Sequence, residues 1–222
     1  MNSKAILSFL EQLTQNNNKE WFQENKATYE KLRQEFIDFI NKLIPAIAEF
    51  DNNIKHISAK DCLFRIYRDV RFSKDKTPYK NNFGAYIAAN GKNSRSAGYY
   101  FHIEPAGSML AGGIYLPPPD VLKLVRSEIY YNMVAYKKII NDKLFLKQFG
   151  SVEGEKLVHA PKDFPKDFAD IDILKYKSYT IIHKLSNIQV LSTNLFEETI
   201  NIFKAMHPIN SFFNKALEKC LN

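Results

Sequence analysis

Gly98-Tyr99-Tyr100-Phe101-His102-Ile103-Glu104, then Pro105-Ala106-Gly107, then Ser108-Met109-Leu110-Ala111-Gly112-Gly113-Ile114-Tyr115-Leu116, is the stretch that decides the fold. Two aromatic and β-branched runs are separated by a short Pro/Gly connection, which reads as an antiparallel hairpin. Upstream, residues 83–89 (FGAYIAA) and 62–68 (CLFRIYR) have the same character, and Gly, Pro and Asn punctuate the gaps. Downstream, residues 178–185 (SYTIIHKL) read as one more strand. The centre of the chain therefore predicts an antiparallel sheet.

On both sides the period changes from two to that of a helix. Ile6, Leu7, Leu10 and Leu13 form one apolar stripe behind an expected Ser3 N-cap. Asn16-Asn17-Asn18 ends that helix, and Asn17 followed by Glu20 resembles a capping box for a second one. Trp21, Phe22, Tyr29, Leu32, Phe36, Phe39, Ile40 and Leu43 carry the second helix, and Pro45 is expected to end or kink it. Past Pro117-Pro118-Pro119 a helix is expected from Pro119 or Asp120, with another at about 133–148. Residues 150–170 are expected to wrap the surface, and two closing helices are expected at 193–206 and 209–220. Helices before and after one sheet make this an α+β chain, and residues 1–222 are expected to form a single domain.

Composition excludes several classes. The 222 residues are 45% hydrophobic and 25% charged, ordinary values for a globular chain able to bury its own core. No run of 18 apolar residues exists, so no membrane partner is expected. The N-terminal run MNSKAILSFLEQL is broken by Ser8 and is a poor signal peptide. Cys62 and Cys220 make no C-x-x-C pattern and no disulfide framework, so a reducing, cytoplasmic location is expected. The net charge is +7, and residues 60–80 hold seven basic side chains against three acidic ones, or +4 of that total. Such a balance points to anionic partners.

Two passages stand out. One is Asn16-Asn17-Asn18-Lys19-Glu20-Trp21-Phe22, and the other runs from Phe64 through Arg68-Asp69-Val70-Arg71-Phe72-Ser73-Lys74-Asp75-Lys76-Thr77-Pro78-Tyr79-Lys80. With Tyr99-Tyr100-Phe101-His102-Ile103-Glu104-Pro105 they resemble a family of uncharacterised bacterial and fungal proteins known as a domain of unknown function. The resemblance spans nearly the whole chain. It implies a single-domain protein and brings no activity with it.

The candidate site comes from the residues themselves. Alternation along 63–69 puts Leu63, Arg65, Tyr67 and Asp69 on one face, with Phe64 and Ile66 toward the core. Along 99–104 it puts Tyr100, His102 and Glu104 on one face, with Tyr99, Phe101 and Ile103 inside. In one sheet, Arg65, Tyr67, His102 and Glu104 would share a polar surface. Arg68, Arg71, Lys74, Lys76, Tyr79 and Lys80 would edge it, and Ala111, Gly112 and Gly113 would leave room for a ligand. Converging guanidinium and ammonium groups suit phosphate or carboxylate. The competing reading is structural, with Arg65 and Arg68 paired to Asp69, Asp61 or Glu104.

His102 and Glu104 are the acid–base candidates, with a packed ion pair as the alternative. The five histidines are scattered, so no metal site is expected, and no cofactor motif is present. Ser73-Lys74-Asp75-Lys76 has S-x-x-K spacing, but Thr77-Pro78 argues against the helix start that motif needs. Lys19-Glu20-Trp21-Phe22 is expected to anchor the long helix to the core, a Trp in a ligand wall being the rival reading.

Three function classes follow. The first is a binding protein for a phosphorylated or other anionic small molecule. The second is an enzyme on an anionic substrate, with His102 and Glu104 moving protons. The third is single-stranded nucleic-acid binding, for which Phe64, Tyr67, Phe72 and Tyr79 interleave with the cations. A basic face for an acidic protein partner is the plainest alternative. No oligomeric state follows from the sequence.

Overall fold

A computed structural model describes residues 1–218. The sheet has four strands in the order β1-β2-β3-β4, every pair antiparallel: β1 (Phe83–Ile87), β2 (Gly98–Ile103), β3 (Met109–Ile114) and β4 (Tyr179–Lys184). Before it come α1 (Ser3–Gln15), α2 (Lys19–Glu24), α3 (Lys26–Ala48) and the one-turn α4 (Ala59–Cys62). Between β3 and β4 lie α5 (Pro119–Tyr131), α6 (Met133–Ile140), α7 (Lys143–Phe149) and the short α8 (Ile171–Leu174). The turn α9 (Asn187–Leu191) and the long α10 (Leu195–Glu218) follow. The fold class is α+β, with helices from both ends of the chain flanking one sheet.

Alternation divides the sheet into two unlike faces. Tyr99, Phe101, Ile103, Leu110, Ile114, Tyr179 and Ile181 are buried on one face, against α3 and α10. Each such side chain contributes about 1.5–3 kcal/mol when fully removed from water. The other face is more mixed, with Tyr100, Ala111 and Ile182 half-buried and Lys184 exposed. There the register aligns Tyr86, Tyr100, Ala111 and Ile182 in one row, and Gly84, His102, Met109 and Lys184 in the next.

Several local expectations are corrected. Asn2, not Ser3, caps α1, its side chain accepting from Ala5 N–H. Asn18, not Asn17, caps α2 through Trp21 N–H at 2.9 Å. Pro45 does not end its helix. It lies inside α3, where burial of Ile44 and Ile47 outweighs the lost hydrogen bond. Pro208 likewise lies inside α10, so the two expected closing helices are one, held by Met206, Ile209 and Phe213. Residues 219 and 220 of that expectation, with Cys220, lie outside the described residues. The segment expected at 133–148 is two helices, α6 and α7, with Asp142 capping the second.

The largest correction concerns 62–68, which is not a sheet strand. Cys62 ends α4, and only Leu63 bridges to β1, at Ala85. Past Phe64 the chain leaves the sheet and pairs with the segment returning from the basic loop. Arg68 N–H donates to Pro78 C=O at 2.9 Å, and Lys80 N–H to Ile66 C=O at 2.8 Å. Residues 66–80 thus form a hairpin-like arm with Tyr67 opposite Tyr79. Leu63 is buried, and Phe64 is 39% exposed rather than part of the core. The expected space beside β3 is filled as well. A Cβ on Gly112 would meet Met206 Sδ at 3.0 Å, and Asn210 Oδ1 takes the Gly113 N–H at 2.7 Å.

Candidate functional site

The three motif-bearing stretches of sequence converge at one end of the sheet. Asn17 clasps the backbone of Tyr79 from both sides: Tyr79 N–H donates to Oδ1 at 3.0 Å, and Nδ2 donates to Tyr79 C=O at 2.9 Å. Phe22 stacks on the Tyr79 ring with centroids 4.0 Å apart, and its edge meets Tyr67. Phe22 is the buried anchor of α2, while Trp21 packs half-buried against Phe9. The root of the basic arm is thereby fixed to α2. From the other side Asn81 Nδ2 donates to Glu104 Oε1 at 2.6 Å, and Phe64 sets its edge against Tyr100.

His102 occupies the centre of a three-residue relay. Its Nε2 lies 2.9 Å from Glu104 Oε2, and its Nδ1 lies 2.8 Å from Tyr100 Oη. A carboxylate can only accept, so a neutral His102 carries its proton on Nε2, and Nδ1 accepts from the Tyr100 hydroxyl. The alternation along β2 aligns these three side chains at i, i+2 and i+4. His102 is only 6% exposed, while the Glu104 side chain is 27% exposed and Tyr100 is half-buried. Solvent therefore meets the ends of the relay rather than its middle. Burial, helped by the Glu104 charge, pushes the Tyr100 hydroxyl up to about 12, so it remains a proton donor at neutral pH.

The cations of the arm fall into two groups. Arg68 pairs with Asp75 at 2.5 Å and also donates to Thr77 Oγ1 and Thr77 C=O. Arg71 makes a bidentate pair with Asp69, Nε to Oδ1 at 3.0 Å and Nη2 to Oδ2 at 2.7 Å. Lys76 donates to Val70 C=O at 2.9 Å. The Thr77 N–H, followed by Arg68, holds the Asp75 carboxyl at about 2, and Arg71 lowers that of Asp69. Arg68 is thus paired within the protein, to Asp75 and Thr77.

Arg65, Lys74 and Lys80 make no ion pair among the described residues. Lys80 Nζ lies 5.4 Å from the centroid of the Phe64 ring. Burial, and then the nearby Arg65 charge, lowers its pKa. Two cations without an ion pair thus stand near Phe64, Arg65 within electrostatic reach of Asp69, and Phe64 itself leans on Tyr100. Tyr67 is half exposed beside Tyr79, whereas Tyr79 is buried and serves the arm's root.

Asn17, Asn81 and Gly84 are site residues that the sequence did not single out, while Phe64 was read as core or as a stacking ring and Tyr100 only as sharing a face with His102 and Glu104. Tyr100 was readable from its alternation with His102. Asn17 and Asn81 act on partners 62 and 23 residues away, and nothing local signals those bonds. A groove of about 740 Å³ at the end of α3, lined by Ile44, Pro45, Ala48, Asn52 and Lys55, holds none of the sequence-predicted site residues. No helix of the described residues is long and apolar enough to cross a membrane.

No curated protein and no solved structure gives a significant match to this chain. A family model does match, over residues 5–212, which takes in most of α1, the arm, the sheet and most of α10. The chain belongs to the conserved hypothetical protein family DUF2461.

Proposed function

We propose that this protein binds an anionic ligand, with phosphate as the model group, where the arm meets the relay end of the sheet. The observation that carries the reading is the pairing of Arg65 with Lys80. Neither makes an ion pair among the described residues, Asp69 acting on Arg65 only from a longer distance, and the positive charge of one makes the other's ammonium harder to keep. Like charges held together and partly removed from water are costly unless an anion joins them. Arg71 adds a third donor, because its pair with Asp69 lies in solvent, where it is screened and can be exchanged for a stronger anion. A cytoplasmic location belongs to the same reading, since Cys62 is a buried free thiol.

Thermal denaturation with inorganic phosphate, pyrophosphate and nucleoside monophosphates tests the reading. A ligand at 100 times its Kd stabilises by about 2.7 kcal/mol. For a chain of this size that raises Tm by roughly 5–10 °C. The shift should vanish in Lys80→Ala and Arg65→Ala. No shift with any anion, or an unchanged shift in both variants, overturns it.

The relay favours a second reading, in which the bound anion is also a substrate. Glu104 would hold His102 in one tautomer, and Tyr100 would pass its hydroxyl proton to His102 Nδ1 as its oxygen takes a proton from the attacking water, the reverse transfer returning a proton to the leaving oxygen. Chromogenic phosphate and acyl esters would be turned over by the native chain. His102→Asn would abolish turnover and leave the anion-induced thermal shift in place. Equal turnover in the two proteins removes this reading.

A further inference from the structure

Three aromatic rings of the arm and the chain leading into it remain open to solvent: Phe64 is 39% exposed, Tyr67 49% and Phe72 96%. An isolated exposed ring is unremarkable, but these three lie within nine residues. Each has cations beside it in the chain. Arg71 stands 5.9 Å from the Phe72 ring centroid, and Lys80 stands 5.4 Å from that of Phe64.

The arm is also held in shape. Arg68, Asp75 and Thr77 tie its two sides together, Lys76 caps Val70 C=O, and Asn17 fixes the root. A ring presented by a braced loop loses little conformational freedom on binding.

We propose that the anionic ligand of this surface is single-stranded nucleic acid, its bases stacking on Phe64, Tyr67 and Phe72. Its phosphates would be met by Arg65, Arg71, Lys74 and Lys80. The proposal rests on the anion-binding reading above. Rings and cations strung alternately along one arm match the alternation of base and phosphate in an unpaired strand. An anionic membrane surface is the rival occupant. It calls for clustered apolar side chains at the tip, and between Asp69 and Thr77 only Phe72 and Val70 are apolar.

The test is fluorescence anisotropy of a labelled 20-nucleotide oligo-dT and oligo-U on the full chain, across a salt series. Alongside run the same length of duplex, vesicles of phosphatidylserine and phosphatidylcholine, and the thermal shift with inorganic phosphate. Binding should favour single strands and fall with salt at a log–log slope of roughly −3 for four phosphates. Phe72→Ala should weaken it roughly 5- to 150-fold, the range for one stacked base. The same variant should keep its thermal midpoint and its phosphate shift.

A phosphate shift without single-strand binding overturns this proposal and leaves the small-anion reading standing. Single-strand binding unaltered in Phe72→Ala, Tyr67→Ala and Phe64→Ala overturns the stacking platform. Vesicle binding that Phe72→Ala abolishes, with no nucleic-acid binding, assigns the tip to a membrane instead. Loss of both phosphate and nucleic-acid binding sinks the two readings together.

Discussion

Gly84 lies under the hydroxyl of Tyr100, and its missing side chain is what lets that hydroxyl reach His102. A Cβ at Gly84 would stand 2.6 Å from Tyr100 Oη, nearer than real contacts allow, and a tight 3.1 Å from the ring. Gly84 pairs directly with His102 across β1 and β2, so the glycine, the tyrosine and the imidazole occupy one site. The obstacle is the end of a side chain, which can swing away. Gly84→Ala should therefore fold, at a cost of about 1–3 kcal/mol from the displaced ring and its unmade hydrogen bond. It should also separate Tyr100 from His102. NMR of the His102 ring nitrogens would then show Nδ1 without its partner, and a Tyr100→Phe variant should give the same signature. A native-like spectrum in Gly84→Ala would refute this account of the relay.

Asn210 and Asn214 fasten α10 to the sheet where backbone groups have no strand partner. Asn210 Oδ1 takes Gly113 N–H at 2.7 Å, and its Nδ2 donates to Gly98 C=O at 2.9 Å. One turn on, Asn214 Oδ1 takes Ala97 N–H at 2.8 Å, and its Nδ2 donates to Ala97 C=O at 3.1 Å. Asn210 is fully buried, so alanine there strands two backbone groups at about 1–3 kcal/mol each. Asn210→Ala should lower Tm by roughly 5–15 °C. Asn210→Asp should fare no better, because it keeps the acceptor, loses the donor and buries a charge. A change of less than 2 °C in both would show the clasp to be dispensable.

The physical reach of sequence reading differs from element to element. The hairpin of β2 and β3 is legible because aromatic alternation and a short Pro/Gly connection both act locally. The relay was half legible for the same reason, since Tyr100, His102 and Glu104 share a face by alternation alone. Residues 62–68 misled because a strand-like composition specifies an extended chain without naming its partner. Here the partner changes, from Gly84 at Phe64 to Pro78 at Arg68. Pro45 and Pro208 misled because a local penalty was weighed without the long-range burial of Ile47 and Ile209 that outweighs it. Between anion site and ion-pair network the sequence left Arg68 open, since Asp75 meets it only once the arm has folded back.

Tyr99 donates to Asp51 Oδ2 at 2.9 Å inside the core, and His207 Nδ1 lies 3.0 Å from the same hydroxyl. The single tyrosine proton goes to the carboxylate, so His207 donates to the tyrosine oxygen. Burial pushes the Asp51 carboxyl up, but the nearby His207, whose Nδ1 lies 3.7 Å from Oδ2, and hydrogen bonds from Tyr99 and the Asn53 N–H outweigh it, leaving the pKa lowered. A lowered folded pKa gives stability that is complete above the unfolded value, about 3.9, and is lost as pH falls through the folded value. Asp51→Asn should therefore cost about 1.5–3 kcal/mol at pH 7, the range for hydrogen bonds to a charged group. The gap between the two proteins should narrow below about pH 4. Urea denaturation of both from pH 7 to 2.5 measures this, and the exposed carboxylates cancel because both proteins share them. A gap that stays constant, or widens in acid, contradicts the assignment.

Gly113 has φ of +90° on β3, beside the backbone of β4 rather than beside a mobile side chain. A Cβ there would lie 2.0 Å from the Tyr179 carbonyl oxygen and 3.2 Å from Thr180 Cα. Relief would require the two strands to part, and Gly113 also carries the N–H that Asn210 accepts. Gly113→Ala should accordingly lose more than about 4 kcal/mol, in the range reserved for gross disruption. Gly150, at φ of +70°, supplies the control, for nothing lies within 4 Å of a Cβ built there. Gly150→Ala should incur only the backbone strain, about 1–3 kcal/mol. Chemical denaturation of the two variants separates close approach from conformational strain. Equal losses would mean that strand separation at Gly113 is easier than the packing of β3 on β4 implies.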